Sequence, residues 1–490
     1  MLGKPGMQKD FFNNFVIEHL LPKKHLLLDI KERIDFSFVD SEVKGLYSEA
    51  LGRTSFPPQV LLRMLFLEFF YSLSDRDVVE QTQTNILFRY FVGLSIQQPT
   101  PDDTTLVVFR KRLGEAKFKA LFDRIVIKAK ELGLIKGNLK ILDATHIIAD
   151  IAIPNTVNLL RQGRKKAIES ISKEKEQTRL KERYLSSEKV YRKPSKQELA
   201  HEVELTTKFM QELKEQYKIN SQTRRIIEQL DKMLNPQGEA RPLSFADPDA
   251  RGGYKSRNKK FVGYKAHASL DEESQIVTSV DTVPGNTNEA DNEDVKELIQ
   301  QDEDKGITQA ALAADALYDS ALNRKTCHSK DMAAYIPSGH SGKSKFLDNF
   351  IYDKDTDTLI CPEGYSPISK TRQEQGYLYI FSTQSCKHCS NSSGCPKPNR
   401  KRIRVFISDD YLEKLIDNTP QRMDALIKRK AIERKFGEAK KWHSLTRARY
   451  RGRWRVAIQV LMTFLVINVK RIIKLLTLKP EPVLALSGYG

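Results

Sequence analysis

Two short apolar runs in this chain each end in an aspartate. Leu139-Lys140-Ile141-Leu142-Asp143-Ala144-Thr145 and Ala310-Ala311-Leu312-Ala313-Ala314-Asp315 both read as buried strands with a carboxylate at the end. If they are neighbours in one sheet, both carboxylates project from the same edge. Between them, Phe261 to Leu270 and Gln275 to Val283 flank the turn Asp271-Glu272-Glu273-Ser274 and predict a hairpin, and a helix carrying Val295 and Leu298 follows. The expected class is α/β, with the two aspartates sharing one site. A lone strand-end aspartate is as readily a cap or a surface turn, so spacing by itself does not choose.

The flanking regions read differently. Up to about residue 135 the pattern is helical. Val60 to Tyr71 is apolar almost all round, as in a central helix packed on several sides. Ser74, with Asp77 at the capping-box position, opens a second helix that Gly93 closes. The Pro99–Thr105 cluster leads into a short helix, Leu106 to Arg112, with a basic end. Short basic helices suit a helix-turn-helix-like DNA reader and equally a plain trihelical core. Residues 161–240 are charged, with spaced apolar positions at Val203, Met210, Leu213, Tyr217, Ile226, Leu230 and Met233, and predict long helices inserted as a solvated arm. Val456 to Val469 is interrupted by Gln459, Thr463 and Asn468 and predicts a buried helix rather than a membrane span. No secretory signal is read at the amino terminus, so a cytoplasmic, nucleoid-associated protein with no membrane partner is expected.

At 490 residues the chain exceeds what one core serves. Its formal charge of +18 favours a polyanionic partner, most simply nucleic acid. Residues 396–455 hold 19 Lys or Arg against 7 Asp or Glu, two thirds of that excess. Trp442 and Trp454 lie in this stretch, and core packing is their simpler duty. The five cysteines exclude a disulfide framework. Four of them, Cys361, Cys386, Cys389 and Cys395, suffice for a closed tetrahedral Zn2+ site, with His388 or Cys327 as other ligands and free thiols as the plainer alternative.

Phosphoryl transfer on DNA needs divalent metal held by carboxylates, and a third acid would complete the pair at Asp143 and Asp315. In Arg429 to Leu445 the helical period places Arg429, Glu433, Phe436 and Lys440 near one face, with Glu438 as the competing acid on another. His267 suits either metal or phosphate contact or a structural hydrogen bond; His146 and Asp150 read as loop groups. Taken together, Asp143-Ala144-Thr145, Ala314-Asp315-Ala316-Leu317-Tyr318-Asp319-Ser320 and the Arg429-x3-Glu433-x6-Lys440 spacing resemble the three catalytic motifs of the DDE transposases of bacterial insertion sequences, the last being the R, E and K of the YREK signature. Leu426 stands where the signature has tyrosine. Pro101-Asp102-x-Thr104-Thr105-Leu106-x-x-Phe109-Arg110 resembles the family's amino-terminal motif, Gly263-Tyr264-Lys265-x-His267 its second strand, and Arg447 to Gly452 its carboxy-terminal end. A cysteine-rich piece between second Asp and Glu is similar to one subgroup.

That resemblance implies an RNase H-like core in which Asp143, Asp315 and Glu433 hold two Mg2+ (or Mn2+) ions. It further implies cleavage at transposon ends, transfer of the 3′-hydroxyl into target DNA, phosphate contacts from Arg429 and Lys440, and a homodimer pairing two ends. Arg447, Arg449 and Arg451 are the further expected contacts to double-stranded DNA. The expected organisation is 1–135 helical DNA-recognition domain, 136–160 and 246–345 the split core, 161–245 helical insertion, 346–400 zinc-ribbon-like insertion, and 401–490 the helical part carrying the catalytic Glu. The competing reading is an inactive sequence-specific DNA binder, a repressor or domesticated transposase.

Overall fold

A computed structural model describes residues 3, 15, 18–48, 54–185, 193–217, 219–235, 241–256, 258–337, 347–387, 389, 402–417 and 419–478. The amino-terminal region is helical: α1 (Leu26–Arg33), α2 (Phe38–Val43), α3 (Pro58–Phe70), α4 (Asp75–Thr84), α5 (Ile86–Val92) and α6 (Asp103–Glu131). Pro58 starts α3, where its fixed φ and missing N–H cost nothing. Every residue of that helix except Arg63 and Phe70 is buried, so it is the central helix its composition predicts. The helix opened by the Ser74–Asp77 capping box does not run through to Gly93. It is reset at Asn85, whose Oδ1 accepts the N–H groups of Leu87 and Phe88 and starts α5 afresh. The short helix expected over Leu106–Arg112 extends to Glu131, broken only at Gly114, whose φ of 63° an L side chain tolerates poorly.

Next in the chain come β1 (Leu139–Ile148) and the insertion helices α7 (Thr156–Glu169), α8 (Glu174–Tyr184), α9 (Lys196–Gln216) and α10 (Ser221–Leu234). The sheet then resumes with β2 (Arg251–Ser256), β3 (Lys259–Asp271) and β4 (Val277–Pro284), crosses through α11 (Asn292–Asp304) to β5 (Ala311–Ala314), and through α12 (Ala321–His328) to β6 (Ala333–Tyr335). β3 lies antiparallel to β1 on one side and to β2 and β4 on the other, while β5 and β6 continue from β1 in parallel. The hairpin β3–β4 is as expected. The edge strand β2, with its Gly-Gly pair, carries no periodic signal in the sequence. Gly263 is needed on β3 because a Cβ there would lie 2.0 Å from the Ile147 carbonyl oxygen.

A cysteine-rich module follows: the hairpin β7 (Ile351–Asp353) and β8 (Thr358–Ile360), then β9 (Ser369–Gln373), β10 (Gly376–Ser382), α13 (Thr383–Lys387), β11 (Arg402–Ser408) and α14 (Asp409–Leu415). β11 pairs with β10, and Leu415 belongs to the module's own core, so the module continues past residue 400. The chain closes with α15 (Gln421–Lys428), α16 (Ala431–Trp442) and α17 (Arg453–Leu478).

Four apolar clusters hold these layers. The largest joins the amino-terminal helices, one sheet face, α16 and α17, so the helical region and the sheet share a core. On the opposite sheet face Leu142, Leu312 and Ala314 pack on Val295, Leu298 and Cys327. The insertion α7–α10 has a separate core containing Leu213, Ile226 and Leu230, whereas Val203, expected inside, is 37% exposed. Helix α17 is long and apolar enough to cross a membrane, yet 89% of its most apolar window is buried inside the fold. Its polar residues are used there. Gln459 accepts from the Arg449 N–H and donates to the Arg447 carbonyl; Asn468 does the same at Val277.

Candidate active site

Strand register brings the two aspartates together. Leu142 is opposite Ala314 in the parallel β1–β5 pair, so Asp143 and Asp315, one residue on, lie side by side. Asp315 stands just past the end of β5, whereas β1 runs on to Ile148 and Asp143 is interior to it, paired with Ala268, not at a strand end as expected. Asp143 accepts the Ala144 N–H at 2.8 Å, and Asp315 caps the turn Ala316–Tyr318 by accepting the Ala316 N–H at 2.6 Å. Each carboxylate is thus aimed by its own backbone. The third acid comes from α16, which packs against β1. Glu433 occupies the first turn of that helix, where the dipole favours an anion, and is 58% exposed. Arg429, at the end of α15, stands 3.7 Å from Asp143 and 3.8 Å from Glu433. Burial, together with the nearby charges of Asp315 and Glu433, pushes the Asp143 carboxyl up to about 6 against the opposing pull of Arg429 and the Ala144 N–H.

The donor types suit a hard divalent cation: Asp143 feels the charges of Asp315 and Glu433, all oxygen donors, with Arg429 as the cation between Asp143 and Glu433. Among the described residues, no three His, Cys, Asp or Glu side chains are drawn together as tightly as a bound ion would need. Glu433 meets Asp143 through Arg429.

Glu438 faces away. Its carboxylate is held by Lys470 of α17 at 2.7 Å and Lys435 at 3.4 Å, whose charges keep it below the usual range despite burial. Phe436, expected on the Glu433 face, is instead buried against Phe464. Leu426 packs against the main core.

Three residues on from Asp143, His146 is part of β1 and not a loop group. Lys440 Nζ lies 3.5 Å from its Nδ1, and its ring packs on Phe261. Burial and the neighbouring Lys255 bring Lys440 down to about 8, and burial with Lys440 and Lys255 brings His146 down to about 4. His267 is fully buried, 2.9 Å from the Tyr318 hydroxyl, which fits the structural hydrogen-bond reading.

The expected DNA contacts separate into two kinds. Arg447 is 69% exposed, 3.6 Å from Asp150 just beyond β1, and Arg451 is exposed. Arg449 turns inward: it donates to Glu68 and to the Leu73 carbonyl and stacks on Phe69. Its surface role is therefore corrected to an internal tie between the carboxy-terminal segment and α3. Glu68 also receives Arg110 and the Tyr450 hydroxyl, and Arg110 grips Asp75 with both arms. This network joins residues more than 300 positions apart and has no local signal. Trp442 is 59% exposed, contrary to the packing role expected of it, while Trp454 packs on the core.

The thiols of Cys361, Cys386 and Cys389 line one small pocket, and Cys361 Sγ accepts the Tyr365 N–H at 3.3 Å. Cys395 and His388 lie outside the described residues. Cys327 is elsewhere, buried in the sheet's second core with its thiol pushed up to about 12 by desolvation.

A family model described as Transposase domain (DUF772) matches residues 15–112, and one described as Transposase DDE domain matches residues 235–469. No solved structure matches the chain. Such transposases bind DNA and generally use divalent metal ions. The second match covers β2 to most of α17, including Asp315, Glu433 and the Arg429–Lys440 stretch, and with both transposase domains present the chain belongs to the DDE transposases of insertion-sequence type.

Proposed function

We propose that this transposase cuts DNA at the ends of its own mobile element and joins the freed 3′-hydroxyl to target DNA, working on an RNase H-like core with Asp143, Asp315 and Glu433 as its catalytic acids. The observation that carries this reading is the side-by-side placement of Asp143 and Asp315 on adjacent strands, with Arg429 between Asp143 and Glu433. Two Mg2+ or Mn2+ ions held by these carboxylates would supply activation of the attacking oxygen and stabilisation of the leaving one. The chain's own work is positioning. Arg429 balances the acids in the free protein and contacts the phosphate beside the scissile bond in the complex; Lys440 contacts the next phosphate. Arg447 and Arg451 follow the duplex backbone further out. The amino-terminal helices read the terminal repeat, and two copies pair two ends, in the cytoplasm at the nucleoid. The complete acid set does not favour an inactive DNA binder.

For the cysteine-rich module we propose a structural Zn2+ bound by Cys361, Cys386, Cys389 and Cys395, supported by the three thiols around one pocket and the N–H aimed at Cys361 Sγ. Metal content of the purified protein, compared with Cys361→Ser, tests it; equal zinc in both rejects it.

The function itself is tested on a labelled duplex carrying the terminal repeat, with Mg2+ or Mn2+. Cutting should survive Glu438→Gln and vanish in Glu433→Gln while DNA binding persists. Loss in Glu438→Gln alone would move the third acid, and binding without cutting by the wild type would leave only a DNA binder.

A further inference from the structure

Where α6 meets the segment Ala448–Ile458, a cavity of about 440 Å3 opens. Its floor is apolar: Ile458 and Ala448 are buried there, and Val107 stands at the mouth half exposed. Asp75, Arg110 and Arg449 also line the cavity, and there the charges are already matched, Arg110 by Asp75 and Glu68, and Arg449 by Glu68. The rim is different. Lys111, Arg451 and Arg455 bring three cations to it, and among the described residues neither Lys111 nor Arg451 makes an ion pair. Arg455 lies over the Trp454 indole, 4.7 Å from the ring centroid, a planar cation beside a planar apolar wall.

A groove that only followed a phosphate backbone would need the cations and not the floor. An apolar pocket with a cationic rim matches a ligand having a flat apolar body and an anionic end, and the volume is in the range of small-molecule sites, roughly 300–1,000 Å3. We propose that this cavity binds one nucleoside phosphate, its base against Trp454, Val107 and Ile458 and its phosphate on Lys111, Arg451 and Arg455. The inference rests on the DNA-processing reading above, because the favoured source is a single unpaired nucleotide of the bound DNA. β1 leads there: it carries Asp143, then His146 beside Lys440, and Asp150, just past its end, lines the cavity. A free nucleotide is the other source with the same chemistry.

The chain has two tryptophans, so Trp442→Phe leaves Trp454 as the sole indole reporter at the cavity wall. In that background, without divalent metal, indole fluorescence is titrated with dAMP, with a duplex bearing one unpaired adenine, and with the fully paired duplex. Saturable quenching by the unpaired duplex or by dAMP, weakened about tenfold or more by Val107→Glu at the exposed mouth, is the expected result. A response to the unpaired duplex but not to dAMP assigns the DNA source, and a response to dAMP assigns the free nucleotide. Equal responses to paired and unpaired duplex with none to dAMP, indifference to Val107→Glu, or no quenching at all overturns the proposal. Since no cutting is read, lost quenching with intact Mg2+-dependent cleavage fails this inference alone, and the converse fails the catalytic reading alone.

Discussion

Two glutamates five residues apart on α16 live in opposite electrostatic conditions. Glu438 faces the core helix α17 and is matched twice, by Lys470 and Lys435. Glu433 is largely exposed, with one guanidinium, shared with Asp143, at 3.8 Å and its charge felt by Asp143. One side of the helix settles its charges within the protein; the other leaves negative charge over. The same division runs through the arginines, with Arg449 tied to buried Glu68 and Arg447 open to solvent except for Asp150. Charge left unmatched at an edge is what a phosphodiester and its metal ions would complete, so it separates binding groups from supports.

The largest expected effect tests the unmatched side. Asp143→Asn or Glu433→Gln should lower cleavage of a terminal-repeat duplex by about a thousandfold or more at unchanged DNA affinity. Parallel losses of affinity would show these acids to be supports. On the matched side, Glu438→Gln should leave cleavage nearly intact but strand two partly buried lysines, costing about 1–3 kcal/mol in urea unfolding. Unchanged stability would erase the contrast between the two faces.

Glu68 sharpens the comparison in a third place. Burial, with the like charge of Asp75 nearby, pushes its carboxyl up to about 7 against the pull of Arg110, Arg449 and the Tyr450 hydroxyl. The folded protein therefore keeps a proton that the unfolded chain releases near the ordinary value of 4.5. The stability this proton brings is complete below that value and is lost as pH rises through about 7. Glu68→Gln should flatten this part of the unfolding profile; equal slopes in both proteins would remove Glu68 as its source. The smallest effect concerns Lys440, held down to about 8 by burial and Lys255. Its charge is present below that pH, so DNA affinity should weaken a few-fold as pH rises through it, and Lys440→Arg should abolish the step. A step that persists in the arginine variant belongs to another group.

Much of the scaffold was legible because it is local. The two apolar strands, the hairpin, the buried character of α17 and the helical amino-terminal region follow from periods of two and 3.6, although β1 runs on past Asp143 to Ile148. What stayed hidden depends on distant partners or on short polar segments. β2 is a glycine-rich edge strand, and the break at Asn85 is made by a single side chain. Nothing near Arg449 announces that its partner is Glu68. At the site, spacing offered Asp143, Asp315 and Glu433 only as candidates, and the resemblance to the family chose among them. The Arg429 bridge, the neighbourhood of Lys440 and His146 and the cavity behind Tyr450 needed the sheet register and the packing of α6 on the last segment.

The carboxamide of Asn468, clasping both polar groups of Val277, has a consequence beyond packing. β4 is the outer strand at this end of the sheet, and an outer strand offers free N–H and C=O groups to any extended chain that approaches. Here a helix occupies that opening with a side chain shaped like a peptide bond. The strand edge at Val277, fully buried under that helix, is thereby closed to strand addition by a neighbouring chain.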